Sequence, residues 1–138
     1  VAVSKEMPMD LTARSASDIT RELPIVVVAS VLPQPGRLDE VLTALAPIMA
    51  QIQQEPGCLL YALHTSDDGR VHFIEKWASK ADGDRHATGS PAMALLGELV
   101  SPMLDMATMS FTELRPVLVG VPSKGLVRGA DEDVTPAI

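Results

Sequence analysis

From Pro24 onward the chain alternates short, wholly apolar runs with longer stretches that are apolar on one side only. Ile25-Val26-Val27-Val28-Ala29-Ser30-Val31-Leu32 is β-branched and bounded by Pro24 and Pro33. Such a run predicts a strand with apolar residues on both faces. Leu38, Val41, Leu42, Leu45, Ile48, Met49 and Ile52 follow at i, i+3, i+4, i+7, i+10, i+11 and i+14. That spacing lays one apolar stripe along a helix. Pro47 within it removes a backbone hydrogen bond and predicts a kink. Glu55-Pro56-Gly57 ends the helix, because the residue before a proline avoids the helical region.

A hairpin comes next. Cys58–Thr65 and Arg70–Ala78 read as its strands, with Ser66-Asp67-Asp68-Gly69 as a tight turn. Its register stays open. A two-residue turn at Asp68-Gly69 places His64 on the face that holds Glu75, whereas a three-residue loop places Tyr61 there. Ser79 with Asp82 resembles a capping box opening a short polar helix that ends at Gly89. Ser90 and Pro91 then restart the helix as cap and first-turn proline. Met93, Leu96, Leu99 and Val100 give this second piece a buried side, Pro102 stops it, and Met109–Arg115 forms the last strand.

The order β-α-β-β-α-β predicts an α+β domain over residues 24–118, of the split βαβ or ferredoxin-like kind. Helices connected in this way cover one face of the sheet. The first strand is apolar on both faces and the second nearly so, which implies that sheet-on-sheet packing in a homodimer shields the other face. A tail folding back over the sheet is the competing explanation. Residues 1–23 and 119–138 mix charges with Ser, Thr, Pro and Gly, and are expected to be flexible tails.

With 138 residues, the length suits one domain with a single core. A net charge of −7 excludes a nucleic-acid partner, which would require clustered Lys and Arg. Cys58 is the only cysteine and fits a reducing compartment. No apolar stretch approaches the roughly 20 residues of a membrane span, and the first residues lack the layout of a secretory signal. The expected location is the cytoplasm, with no membrane partner.

Candidate chemistry concentrates between residues 55 and 91. His86 lies just before the Gly89-Ser90-Pro91 break, and Glu75 and Trp77 share one face of the third strand. Each also has an ordinary structural reading: a solvated histidine, a carboxylate paired with an arginine, a ring filling core volume. No metal site is expected, since His64, His72 and His86 lack helical i, i+4 spacing and Cys58 stands alone. Neither a glycine-rich phosphate loop nor a serine nucleophile elbow is present.

Glu55-Pro56-Gly57-Cys58-Leu59-Leu60-Tyr61, then Glu75-Lys76-Trp77, then His86 ahead of Ser90-Pro91, together resemble the antibiotic biosynthesis monooxygenase family. The resemblance spans about residues 24–118. It implies a dimeric α+β barrel that oxidises a small phenol or hydroquinone with O2, using no metal or flavin cofactor. On that basis His86 is the expected base, Trp77 a pocket wall or indole donor, and Glu75 an orienting partner. Tyr61, His64, Phe73 and Met93 are the expected substrate-binding residues. Histidine suits the role because its ordinary pKa of about 6.5 lies near working pH. The chain contains no asparagine, which argues against the haem-degrading relatives that place one on the first strand. Ala29 and Ser30 stand there instead.

Overall fold

The computed structural model of the chain describes residues 23–132. The tail expected over residues 1–23 lies, but for its last residue, outside the described residues, as does the end of the C-terminal one. The elements follow in the predicted order. They are β1 (Ile25–Pro33), α1 (Leu38–Ile52), β2 (Cys58–Thr65), β3 (Val71–Trp77), α2 (Lys80–Gly89), α3 (Pro91–Leu99), a 3-10 turn (Ser101–Met103) and β4 (Leu104–Leu114). The strands form one antiparallel sheet in the order β2-β3-β1-β4. This is the ferredoxin-like arrangement.

Alternate residues of β1 build the core. Ile25, Val27, Ala29 and Val31 face the helices, joined by Tyr61 of β2 and by Val71, Phe73 and Trp77 of β3. Against them pack Val41, Leu45, Ile48, Met49 and Ile52, the stripe of α1, which runs without interruption through Pro47. Each large side chain buried here contributes roughly 1.5–3 kcal/mol. Serine caps then break the second helical stretch in two. Ser79 Oγ accepts from the Asp82 N–H at 3.1 Å, and Ser90 Oγ from the Met93 N–H at 3.3 Å. The break leaves His86 in the last turn of α2 and Ser90 immediately beyond it.

The hairpin takes its longer form. The Ser66 N–H donates to the Arg70 carbonyl and the Gly69 N–H to the Ser66 carbonyl, leaving Asp67–Gly69 as a three-residue loop. Gly69 has φ +89°, the left-handed conformation such loops require at that position. Tyr61 therefore pairs with Glu75, and His64 with His72 on the opposite face. β4 is longer than predicted and begins at Leu104 rather than Met109. Its first residues pair with Leu32 and Pro33, and the ladder then breaks in a bulge before Ser110 pairs with Ser30. Thr108 fills the bulge, with its hydroxyl accepting from the Leu32 N–H. Periodicity cannot reveal such an insertion.

The far face of the sheet carries Val26, Val28, Leu60, Ala62, Ile74 and Lys76. Lys76 is only 2% exposed, with its ammonium 2.5 Å from Glu132 Oε2. Gly129 lies so close to the Leu59 carbonyl that a side chain would overlap it. Residues 125–127 close a small apolar pocket over Val26 together with residues 114–117. Residues 119–132, expected to hang free, thus fold back on the sheet and take over part of the cover assigned to a second copy. A buried ammonium needs a counter-charge, and Glu132 supplies it. Met106 and Leu114 of β4, and Val117, Val119 and Val121 of the chain after it, remain exposed.

Candidate active site

Three local features of the sequence converge at the end of the sheet nearest α2. Glycine at position 83 lets α2 approach closely, since a Cβ there would crowd Ile25 and touch the Trp77 ring. One turn further along α2, His86 stacks on that indole with ring centroids 4.6 Å apart and planes 27° apart. Tyr61 meets the imidazole edge-on at 5.5 Å. His86 is 5% exposed, and its buried nitrogens need partners.

Both nitrogens face carboxylates. Nδ1 lies 2.9 Å from Glu55 Oε1, and Nε2 lies 4.0 Å from Glu75 Oε1. A carboxylate only accepts, so the Nδ1–H donates to Glu55. The second oxygen of Glu55 accepts from the Ser90 hydroxyl at 2.5 Å. Glu75 Oε1 accepts from the Trp77 indole N–H at 2.9 Å. Burial pushes the Glu75 carboxyl above its ordinary range, against the opposing pull of the Trp77 hydrogen bond and the His86 charge. Burial, reinforced by the Glu75 charge, likewise pushes the Tyr61 hydroxyl up, so it remains a neutral O–H donor.

Beside this cluster opens a cavity of about 210 Å³. Tyr61, Phe73, Glu75 and His86 line it together with Ala29, Ala87, Met93, Leu96, Leu104, Met109 and Phe111. An apolar cavity of roughly 150 Å³ holds benzene, so this one takes a substituted ring. Phe111, 64% exposed on the edge strand, stands at its mouth. The arrangement offers one base, one acid-capable carboxyl and one hydroxyl donor on an otherwise apolar wall. Among the described residues, no group of three His, Cys, Asp or Glu side chains is arranged to hold a metal ion.

Of the residues singled out in the sequence, His86, Glu75, Tyr61, Phe73 and Met93 meet at this cavity. Trp77 stands behind them, fully buried, holding Glu75 and backing His86 rather than forming the wall itself. His64 is displaced from the set. The three-residue loop turns it onto the far face, where it is exposed. Sequence reasoning missed Glu55 and Ser90, which had been assigned to a turn and a helix cap. Both stand in the motifs that carry the family resemblance, and Glu55 is a charged residue directly before a proline–glycine turn.

Comparisons with known proteins bear on the family and the fold. Residues 24–94, just over half of the chain, match the model of the antibiotic biosynthesis monooxygenase family. A solved protein of Mycobacterium tuberculosis is 27% identical, with a TM-score of 0.61, over 68% of this chain and 95% of its own. One of Shewanella oneidensis is also 27% identical, with a TM-score of 0.59, over 67% of this chain and 89% of its own. A Caulobacter crescentus protein, described as a candidate antibiotic biosynthesis monooxygenase, is 25% identical with a TM-score of 0.65, over 73% and 96% of the two chains. No curated protein matches. Members of the family are commonly dimeric, and the match supports a monooxygenase-like role in general terms. By its sequence over β1 to α3 and by its sheet order, the chain belongs to the antibiotic biosynthesis monooxygenase family.

Proposed function

We propose that the protein is a cofactor-independent monooxygenase that oxidises a phenolic or hydroquinone-type small molecule with O2, working as a cytoplasmic homodimer. The observation that carries this reading is the buried imidazole of His86, set between two carboxylates at the polar end of an apolar cavity. With the proton on Nδ1, Nε2 is the basic nitrogen and lies beside Glu75. A substrate hydroxyl placed there loses its proton to Nε2. The anion then gives one electron to O2, and the phenoxyl radical and superoxide combine at a ring carbon bearing hydrogen. The C–O bond forms, the O–O bond breaks, and water leaves as that carbon becomes a carbonyl. One oxygen atom ends in the quinone and the other in water. Glu75, whose carboxyl burial raises, gives one proton to the departing oxygen and recovers one from the ring carbon, and His86 returns to that oxygen the proton it took from the hydroxyl. A dry wall confines the radical pair.

The test is oxygen uptake with a panel of one- and two-ring hydroquinones, using protein dialysed against chelator. Uptake should survive this treatment and fall about 10²- to 10⁴-fold in His86→Ala. An unchanged rate in that variant removes the assigned base.

A second reading draws on the same pair of groups. A base and a carboxyl that burial pushes above its ordinary range, 4.0 Å apart, also suit isomerisation of a small carbonyl compound, which consumes no oxygen. Deuterium exchange into such a compound under anaerobic conditions, without oxygen uptake, would favour it. Ligand binding without turnover of either kind would favour a non-catalytic module. The dimer is supported by the exposed apolar residues of β4 and the chain beyond it. A single-chain mass by sedimentation at micromolar concentration would contradict it.

A further inference from the structure

The turn between α1 and β2 is fixed with more care than a connection requires. Gly57 has φ +80°, and a Cβ there would overlap the side chain of Asp82 at the start of α2. The Gly57 carbonyl accepts from the Ala78 N–H at 2.8 Å, at the end of β3. The turn is thus clamped between the sheet and the helix that carries His86. What the clamp delivers is the Glu55 carboxylate, with one oxygen on His86 Nδ1 at 2.9 Å and the other on the Ser90 hydroxyl at 2.5 Å. Ser90 Oγ also caps α3, so its donor direction is free for Glu55 while its oxygen serves the helix.

We infer that Glu55, itself held by Ser90, is the positioning residue for His86: it keeps the proton on Nδ1 and leaves Nε2 unprotonated toward Glu75 and the cavity. The inference rests on the reading of His86 as the base, but its geometry is independent of the substrate. A free neutral imidazole is not confined to this tautomer, and the hydrogen bond made by the other nitrogen is what selects it. The titratable groups facing His86 are Glu55 from the turn, Glu75 from β3 and Tyr61 from β2. Of these, Glu55 alone is within hydrogen-bond distance of the ring.

The test combines histidine nitrogen NMR on the labelled full chain with kinetics. In the wild type, the His86 spectrum should show a protonated Nδ1 and an unprotonated Nε2. Glu55→Gln retains a carbonyl oxygen for Nδ1–H and should keep that tautomer. Its kcat should accordingly stay within a few-fold of the wild type. Glu55→Ala should lose the tautomer and lower kcat roughly 10- to 100-fold with little change in KM. A wild-type spectrum with the proton on Nε2 overturns the inference. So does a Glu55→Ala protein that folds and keeps both the tautomer and the wild-type kcat. If the tautomer responds as expected but no oxygen is consumed by any form, the positioning role stands and the oxygenase reading falls.

Discussion

On the helix-covered face of the sheet, a histidine and a glutamate are buried beside a cavity, with a second, partly exposed glutamate hydrogen-bonded to the histidine; on the far face, a lysine is buried beneath the C-terminal strap. The same strands supply both, since Glu75, Lys76 and Trp77 are consecutive residues of β3. The first group is over-determined. His86 is held by stacking, by Glu55 and by the closeness that Gly83 permits, and Glu75 is held by Trp77. Among the described residues, the second depends on one ion pair, with a residue far along the chain. Buried charge that faces a cavity and is fixed from several elements is the pattern of a working site. Buried charge satisfied by one partner reads as a fastening.

Substitutions can break this contrast. Trp77→Ala should cost about 3–5 kcal/mol and free both His86 and Glu75, visible as a lowered urea midpoint; a near-neutral result would mean that the indole organises nothing. On the far face, Glu132→Ala should cost about 3 kcal/mol by stranding the Lys76 ammonium. Pairing Lys76→Met with Glu132→Gln should recover that loss, because an apolar replacement needs no counter-charge. A silent Glu132→Ala would show that the strap does not seal the sheet.

A smaller effect sharpens the comparison through pH. The Glu75 carboxyl is raised in the folded state, so between its unfolded and folded values the native chain binds more protons than the unfolded one. Its contribution is full below the unfolded value and is lost as pH rises through the folded one. Glu75→Gln should therefore gain stability relative to wild type as pH increases across that interval, read by thermal melts in a pH series. A constant difference would refute the shift. Least of all, burial pushes the Cys58 thiol up to about 11. Alkylation near neutral pH should then be roughly 100-fold slower than for an exposed thiol, since the thiolate is the reactive form.

The elements were legible because burial imposes period: β1, the stripe of α1 and both serine caps follow from side-chain pattern alone. What escaped depended on contacts between distant residues. Whether Tyr61 or His64 faced the site turned on one residue of loop length, which period-2 alternation cannot settle. Glu55 lies 31 positions from His86, and its role exists only because the Gly57 turn is clamped against α2. The composition of the strap offers little apolar surface, so pattern alone does not reveal that Glu132 pairs with Lys76.

The most direct measurement is the ionisation state of a bound phenol. A redox-inert chromophoric phenol whose solution pKa lies above the assay pH should bind with the absorbance of its anion, and His86→Ala should bind it with the absorbance of the neutral form. A phenol that stays neutral in the wild-type cavity, or ionises equally without His86, would contradict proton abstraction at this site.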